Sequence, residues 1–466
     1  MDKAFTFLGQ WHSANGVKGW LLAVGVRTLS LIAVVSVLMP SARALPSFAR
    51  QTGQRCAACH VGGNWPQLTP WGRFFKLSGY AAGKSMIDRE GFNYLPIGIF
   101  GQVGLTWAKQ PNDAQGNEVV SSNGVPQAYG FTGQIGTKIT DFAGIFYEYG
   151  VNNQFPGWQG GSGPIDVRAV HIFHPGNHEL LVGVDSNNGP GLQDVWNSIP
   201  TWTFPFYGSP QAPGAPGSPV FPSLEGQSGS IGGYGLLDRQ LYFEVSMYRV
   251  GNDFFRWMTA GNSLQAGPYL KGNNPYWRAY WTKEFGPHVF EVGTFGLHAN
   301  VYPDSTMPSG RADSFADTGF DTQYQYLRDV HKFTLRGTYV YENQDWSASF
   351  PLGASAAPKA NLKTASVSGS YAYREAWTFS AGWLLSNGSN NSAFYSVSDP
   401  NGNTLSSKPN TTGYILEVDR SVTQNIQVMV QYSGFSKFNG LTGNIDGLGR
   451  KPSDNNTLWL SVFFAY

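Results

Sequence analysis

Apolar and polar residues alternate along most of the chain from Tyr94 to Tyr466. In the clearest run, Leu241, Phe243, Val245 and Met247 fill every second position, and Gln240, Tyr242, Glu244 and Ser246 fill the positions between. A period of two places successive side chains on opposite faces of an extended strand. The pattern therefore predicts strands with an apolar face toward lipid and a polar face toward a lumen.

Runs of this kind recur sixteen times, with turn residues between them. They cover residues 95–108, 127–139, 143–151, 165–173, 179–186, 228–237, 240–249, 276–285, 288–299, 318–328, 331–342, 361–373, 376–386, 411–419, 425–436 and 456–466. Short connections such as Asp238-Arg239 and Arg374-Glu375 alternate with much longer ones, which is typical of an outer-membrane barrel. We expect the last run to pair with the first and so close the barrel. The weaker alternative is a soluble β-sandwich, whose strands also alternate.

Composition favours the barrel. Aromatic residues make up 15% of the 466 residues and charged residues only 13%, with 58 glycines. Such a chain can supply an apolar outer face, aromatic girdles and a polar lumen. The net charge of +1 provides no basic surface for nucleic acid, so no nucleic-acid partner is expected.

The first 44 residues have the pattern of an export signal. Basic residues precede an apolar run from Leu29 to Met39, and Ala42-Arg43-Ala44 offers the small residues that a signal peptidase requires. The run is too short to span ~30 Å of hydrocarbon as a helix. We therefore expect residues 1–44 to be a signal peptide and the mature chain to begin at Leu45.

Both cysteines of the chain lie in Cys56-Ala57-Ala58-Cys59-His60. In a C-x-x-C-H sequence two thiols add to the haem vinyl groups and the adjacent imidazole binds the iron. A thioredoxin-like motif would need a βαβ setting, a zinc site would need more ligands, and a disulfide across so tight a loop would be strained. The motif predicts one covalent haem c, with His60 as its proximal ligand.

Residues 45–93 should form a small helical haem domain, which is too short to hold a core without a cofactor. Thr69 and Pro70 suit the start of a helix, and Gly79 its end. The residues expected to cover the porphyrin are Trp65, Leu68, Trp71, Phe74, Phe75, Leu77 and Ser78. Arg50, Arg55 and Arg73 are either partners of the haem propionates or ordinary solvated charges.

The distal iron ligand stays open on the sequence. Met86 is the first choice, because a His/Met pair raises the reduction potential. His171, His174 and His298 could serve only if the haem sits inside the barrel. The proline-rich stretch 187–227 is too long for a plain connector. It is expected either to fold into the barrel mouth over the haem or to form a polyproline-like surface flap or partner site.

Three stretches of residues 45–80 carry a family resemblance: Leu45 to Gly53, Cys56 to His60, and Pro66 to Tyr80. This part of the chain resembles the fused monohaem cytochrome-porins of the bacterial outer membrane, whose best-known members are iron oxidases. The resemblance implies a haem domain held in or under the barrel. It also implies electron flow from extracellular Fe(II) to a periplasmic carrier protein.

The sequence thus predicts a 16-stranded antiparallel transmembrane β-barrel over residues 94–466, preceded by a small α-helical c-type haem domain. Its expected surroundings are the lipid bilayer of the bacterial outer membrane. Its expected function is electron transfer, and Fe(II) oxidase activity stays an open question. The alternatives are a porin that uses the haem domain as a plug, and a conduit that exports electrons.

Overall fold

The structure is a computed structural model that describes residues 47–62, 67–84, 96–155, 157–198 and 208–466. The predicted signal peptide, residues 1–44, lies outside the described residues. The haem-motif segment and the barrel belong to one compact unit. No helix in the described part of the chain has the length and apolar character needed to cross a membrane.

The predicted barrel is confirmed. Sixteen antiparallel strands form one closed sheet, and a separate two-stranded hairpin, β14–β15, lies between β13 and β16. The strands are β1 (Ile97–Ala108), β2 (Gln127–Thr140), β3 (Ala143–Phe155), β4 (Gly157–Phe173), β5 (Leu180–Asn187), β6 (Ser228–Leu237), β7 (Leu241–Val250), β8 (Asn274–Phe285), β9 (His288–Val301), β10 (Asp313–Leu327), β11 (His331–Asp345), β12 (Lys359–Tyr373), β13 (Trp377–Gly388), β14 (Val397–Ser398), β15 (Thr404–Ser406), β16 (Thr411–Ser421), β17 (Ile426–Lys437) and β18 (Thr457–Ala465).

Closure joins the two ends of the sheet. Strand β1 pairs with β18 from Phe100↔Ala465 to Ala108↔Thr457, so the expected pairing of the last strand with the first is confirmed. This pairing removes the exposed edges of the sheet. Because the strand count is even, β1 begins and β18 ends at the same end of the barrel, the end that carries the short turns.

Burial is inverted relative to a soluble protein. On β7, Leu241 and Phe243 are more than half exposed, at 52% and 58%, whereas Glu244 is completely buried. An apolar outer face is stable only against hydrocarbon, and a polar inner face only in a lumen. The barrel therefore spans a membrane with its apolar face outward.

Two of the short turns explain how neighbouring strands reverse direction. Asp238-Arg239 and Arg374-Glu375 all have positive φ values, between 50° and 55°. Two successive left-handed residues form the hairpin turn whose twist matches that of the flanking strands. Both turns lie at positions where the sequence pattern predicts short connections.

Strand β4 is longer than expected, since it begins at Gly157 rather than at residue 165. The glycines and Pro164 in this stretch are typical of a loop. They remain in the sheet because the register with β3 shifts between Tyr147 and Tyr149, opposite Gly163-Pro164. A bulge of this kind tolerates a proline that a regular ladder would exclude.

The described residues also form four α-helices and five short 3-10 helices, and the α-helices are α1 (Ser47–Thr52), α2 (Cys56–Cys59), α3 (Pro70–Leu77) and α4 (Ser392–Tyr395). The first three belong to the segment that precedes the barrel. They include the predicted helix that starts at Pro70. Together with the barrel they give the predicted fold class, a 16-stranded barrel with a small helical N-terminal part.

Candidate haem attachment site

Helix α2 consists of the C-x-x-C part of the motif. Because Cys56 and Cys59 are three residues apart on one helical turn, their side chains share a face. Both cysteines are free, and neither is joined in a disulfide. His60 ends the turn in an extended conformation, and its N–H donates to the Cys56 carbonyl over 2.9 Å.

Helix α3 packs directly against this turn. The Thr69 hydroxyl oxygen accepts from the Gly72 N–H over 3.2 Å, as a helix cap does, and the same hydroxyl donates to the Ala58 carbonyl over 2.6 Å. A Cβ on Gly72 would lie 2.3 Å from the Cys59 carbonyl oxygen. Only glycine permits so close an approach, so α3 fixes the position of the attachment turn.

The segment is docked in the barrel lumen by polar contacts. Arg73 donates to the Gln325 side chain on β10 over 3.0 Å, and Tyr80 donates to Asp166 on β4 over 2.5 Å. On β6, the Tyr234 hydroxyl donates to the Leu77 carbonyl over 2.8 Å. These barrel residues are buried, and Gln325 and Tyr234 lie near the short-turn ends of their strands, whereas Asp166 lies near the middle of β4. The helices therefore sit in the short-turn end of the lumen.

Two further contacts tie this segment to β12 and to the turn that follows it. Arg55 pairs with Glu375 in the β12–β13 turn at 3.4 Å. The Ser370 hydroxyl donates to the Gln67 side chain over 3.2 Å. Because these partners are hundreds of positions away along the chain, nothing in the local sequence indicated them.

The α3 residues that were predicted to cover the porphyrin point into two different regions of the structure. Trp71 and Phe74 line a cavity of about 370 Å³ near the β6–β7 turn, where Arg239 lies 4.2 Å from the Phe74 ring. Phe75 instead packs edge-on against Phe48, with ring centroids 5.1 Å apart. Leu68 forms an isolated bridge with His60. The covering roles of these four residues and of Ser78 remain predictions, and Trp65 lies outside the described residues.

The three arginines expected near the propionates already have protein contacts. Arg50 donates to the Ile97 carbonyl, and Arg55 pairs with Glu375. Arg73 donates to the Leu68 carbonyl over 2.6 Å in addition to its bond with Gln325. In the ion pair between Arg55 and Glu375, the Arg55 side chain is the more exposed, at 72% against 25%. Arg55 therefore retains room for a propionate.

Two of the three candidate histidines face away from the lumen. His171 and His298 are exposed on the outer face, so neither could reach a haem held inside the barrel. His174 is exposed in the short turn after β4, at the same end of the barrel as the attachment turn, and its role as a distal ligand stays a prediction. Met86, the first choice, lies outside the described residues.

The proline-rich stretch folds into the lumen, as one of its two interpretations expected. Trp196 and Phe221 are 1% and 0% exposed. Arg278 on β8 pairs with Asp194 of this stretch at 3.1 Å and with Asp321 on β10 at 2.7 Å. Farther along, the Ser218 hydroxyl donates to Glu342 on β11 over 2.6 Å. Residues 199–207 of the stretch lie outside the described ranges.

The two thiols of the attachment turn are partly buried. Burial raises the pKa of both, that of Cys59 to about 11, with the neighbouring Cys56 adding to the effect. Redox-active C-x-x-C motifs instead lower the pKa of a thiol. Within the described residues, no group of three or more His, Cys, Asp and Glu side chains is arranged to hold a metal ion. The raised thiol pKa is the opposite of what a thioredoxin-like motif requires.

A covalent haem fits these residues. Two free thiols share one helical face beside an imidazole, and a cavity of about 210 Å³ adjoins Cys56. The wall of this cavity includes Ser421 at the end of β16 and Gln424 in the β16–β17 turn. Gln427, the second residue of β17, is fully buried, and neither the oxygen nor the nitrogen of its amide is hydrogen-bonded. An orphaned buried amide close to this turn is consistent with a bound polar group.

No protein-family model and no curated protein sequence matches the chain. Solved structures give weak matches. Salmonella typhi OmpF in complex with daunomycin has a TM-score of 0.45 at 12% identity, covering 79% of this chain and 97% of that chain. Pseudomonas putida OprB gives 0.45 at 11%, covering 79% and 93%. A loop L8 deletion mutant of OmpT, an outer membrane protein of Vibrio cholerae, gives 0.42 at 10%, covering 79% and 99%.

The class of the protein follows from its own architecture. Closed barrels with an apolar outer face, alternating short turns and long loops, and a polar lumen are outer-membrane proteins. The chain is therefore a porin-like β-barrel of the bacterial outer membrane. Its lumen differs from an open channel, because α1–α3 occupy one end and the stretch that carries Trp196 lies above them.

Proposed function

We propose that the protein transfers electrons across the outer membrane through one haem c attached to Cys56 and Cys59 and ligated by His60. The donor is extracellular, with Fe(II) as the leading candidate, and the acceptor is a periplasmic carrier protein. The observation that carries the proposal is the placement of two free thiols and an imidazole inside the short-turn end of the barrel.

The position of the attachment turn suits a periplasmic acceptor and an extracellular donor. Short turns of outer-membrane barrels lie on the periplasmic side. Cys56 borders a cavity whose wall includes the exposed turn residues Arg374 and Gln424, so a cofactor there lies close to the periplasm. A carrier protein would approach this rim, while an apolar band ~25 Å tall separates it from the outside.

The chain's own residues would hold and shield the cofactor. Cys56 and Cys59 would bind it, Gly72 lets α3 press on the attachment turn, and Arg73 anchors α3 to β10. The stretch around Trp196 and Phe221 fills the lumen above. When bound, haem iron supplies reversible one-electron chemistry, so each Fe(II) oxidised to Fe(III) would reduce one carrier by one electron.

The alternatives use the same residues. Export of electrons would reverse the flow without a change of site, since direction depends on the potentials of donor and acceptor. A porin with a haem plug would use the barrel for solutes, and the barrel fold itself favours this alternative. The packed lumen supports the electron conduit more directly, because electrons need no water-filled channel.

The test is anaerobic addition of Fe(II) to the purified holoprotein in detergent, followed by its visible spectrum. We expect rapid reduction of the haem. Reduction only by a periplasmic-type protein donor would support electron export instead. Solute flux in liposomes together with a haem that Fe(II) does not reduce would favour the porin alternative.

A further inference from the structure

The short-turn end of the barrel is basic where it meets the attachment turn. An open cavity of about 960 Å³ lies there, lined by the haem-motif segment and by the β10–β11 and β12–β13 turns. The ionisable side chains of its wall are four cations and two carboxylates: Arg55, Arg328, Lys332, Arg374, Asp329 and Glu375. This wall, the basic rim, therefore has a net charge of +2.

Two of the four cations have no carboxylate partner. Glu375 pairs with both Arg55 and Lys332, at 3.4 Å and 3.1 Å. Among the described residues, neither Arg328 nor Arg374 takes part in an ion pair, and both residues are exposed. Because short turns lie on the periplasmic side, these two charges are accessible to a molecule that approaches from the periplasm.

The cations of the basic rim surround the mouth of the lumen. Ala57 and Ala58, which lie between the two cysteines, line the same cavity as Arg328 and Arg374. Arg374 also shares the smaller cavity of about 210 Å³ with Cys56. Lipid contacts the outer face of a barrel, whereas these side chains border the segment that is docked within it. Their position suits a soluble partner better than a lipid headgroup.

Other short turns at this end of the barrel carry no excess of positive charge. At the β6–β7 turn, Arg239 pairs with Glu179 over 2.8 Å. At the β8–β9 turn, the exposed Lys283 is followed by the exposed Glu284. The positive charge beside the attachment turn is therefore not a general property of this end of the barrel.

We propose that the basic rim is the docking surface for the acidic face of a small soluble electron-carrier protein. The inference rests on the proposed function, because the docked carrier would gain the one electron that the haem at Cys56 and Cys59 gives up. Complementary charges steer association and fix the orientation of the partners. Redox encounters bury small interfaces, so a few exposed charges are sufficient to select the partner.

The test uses the holoprotein in nanodiscs of zwitterionic phosphatidylcholine. The probe is a small lysine-rich soluble c-type cytochrome, either native or with its lysines succinylated, so that one fold is offered with either sign of charge. At low salt we expect the succinylated form to bind roughly tenfold more tightly than the native form, or better. This preference should disappear at about 1 M salt, where charges are screened beyond about 3 Å.

Charge reversal gives the sharper comparison. Arg328→Glu combined with Arg374→Glu changes the net charge of the basic rim from +2 to −2. We expect this variant to prefer the native, lysine-rich probe, an inversion that a misfolded barrel could not produce. The matched control is Arg239→Glu combined with Lys283→Glu, which makes the same change of charge at other short turns. The control should keep the preference for the succinylated form.

Equal binding of the two probe forms, or an unchanged preference in the Arg328→Glu, Arg374→Glu variant, would overturn the docking surface. If the probes bind equally and the variant loses thermal stability only when phosphatidylglycerol is added, the cations serve lipid headgroups instead. Each of these results would leave the haem and the proposed function intact. A purified protein without haem stain would refute the proposed function itself, and with it the carrier as the occupant of the rim.

Discussion

The guanidinium carbon of Arg73 lies 3.6 Å from the centroid of the Trp196 ring. This cation–π contact joins the haem-motif segment to the proline-rich stretch inside the lumen, across 123 positions of sequence. Two parts of the chain that the sequence presents as separate features therefore form one packed unit. Their contact lies beside Gln325 on the barrel wall, to which Arg73 also donates.

A double-mutant cycle measures this contact. Arg73→Met and Trp196→Leu should each lower the free energy of unfolding in detergent, and their combined effect should be smaller than the sum by about 0.5–2 kcal/mol. The control pair is Arg55→Met with Trp196→Leu, because Arg55 pairs with Glu375 instead. Additive effects in the Arg73–Trp196 cycle would show that the contact contributes no stability.

Covalent attachment has a direct assay. Thioether bonds survive denaturation, so the protein should stain for haem on a denaturing gel after expression with a cytochrome c maturation system. Cys56→Ala combined with Cys59→Ala should abolish the stain, because both attachment points are lost. A barrel that inserts normally without haem provides the control for folding. Persistent stain in the double variant would contradict the assignment.

The docked helices predict low ion conductance. The intact protein in planar bilayers should conduct poorly, since α1–α3 occupy one end of the lumen and the Trp196 stretch fills the region above. A variant that lacks residues 45–86 but keeps the signal and the barrel should open a larger pore. It should also lose donor-dependent electron transfer. Equal conductance of the two proteins would mean that the helices do not block the lumen in solution.

Lys76 predicts a pH dependence of stability. Burial lowers the pKa of this amine on α3 from 10.5 to about 8, against the opposing effect of Asp166. Between these two values the unfolded chain binds more protons than the folded one. The free energy of unfolding should therefore rise as pH increases from about 8 to 10.5.

Lys76→Met should flatten that rise and should stabilise the protein at pH 7 by on the order of 1–3 kcal/mol. Urea unfolding in detergent at pH 7, 9 and 10.5 measures the free energy of unfolding of the variant and of the unaltered protein. Lys84→Met is the matched control, because Lys84 is exposed on the same segment. A pH profile unchanged by Lys76→Met would refute the predicted contribution of its burial.

The alternation of apolar and polar residues is sufficient to predict the barrel. Period two fixes which side chains share a face, so the strand number, the outer face of β7 and the pairing of β18 with β1 all followed from sequence order. The C-x-x-C-H spacing likewise required no tertiary information. It placed two thiols on one helical turn and the imidazole on the residue that follows.

Long-range partners could not be predicted in this way. Arg73 meets Gln325 and Trp196, and Tyr80 meets Asp166, only because closure of the barrel brings distant strands around one lumen. The alternation tells which side chains point inward, but the residues that surround them depend on the neighbouring strands. Met429 therefore packs with Tyr129, although the two lie on strands from opposite ends of the chain.

The backbone of strand β4 shows the same contrast between local sequence preference and tertiary structure. Its glycines and Pro164 are locally typical of a loop, and only the shifted register with β3 keeps them in the sheet. Sequence alone determined the local preferences, the attachment motif and the number of strands. The closed barrel decided which side chains meet in the lumen, because those contacts depend on the pairing of residues far apart in the chain.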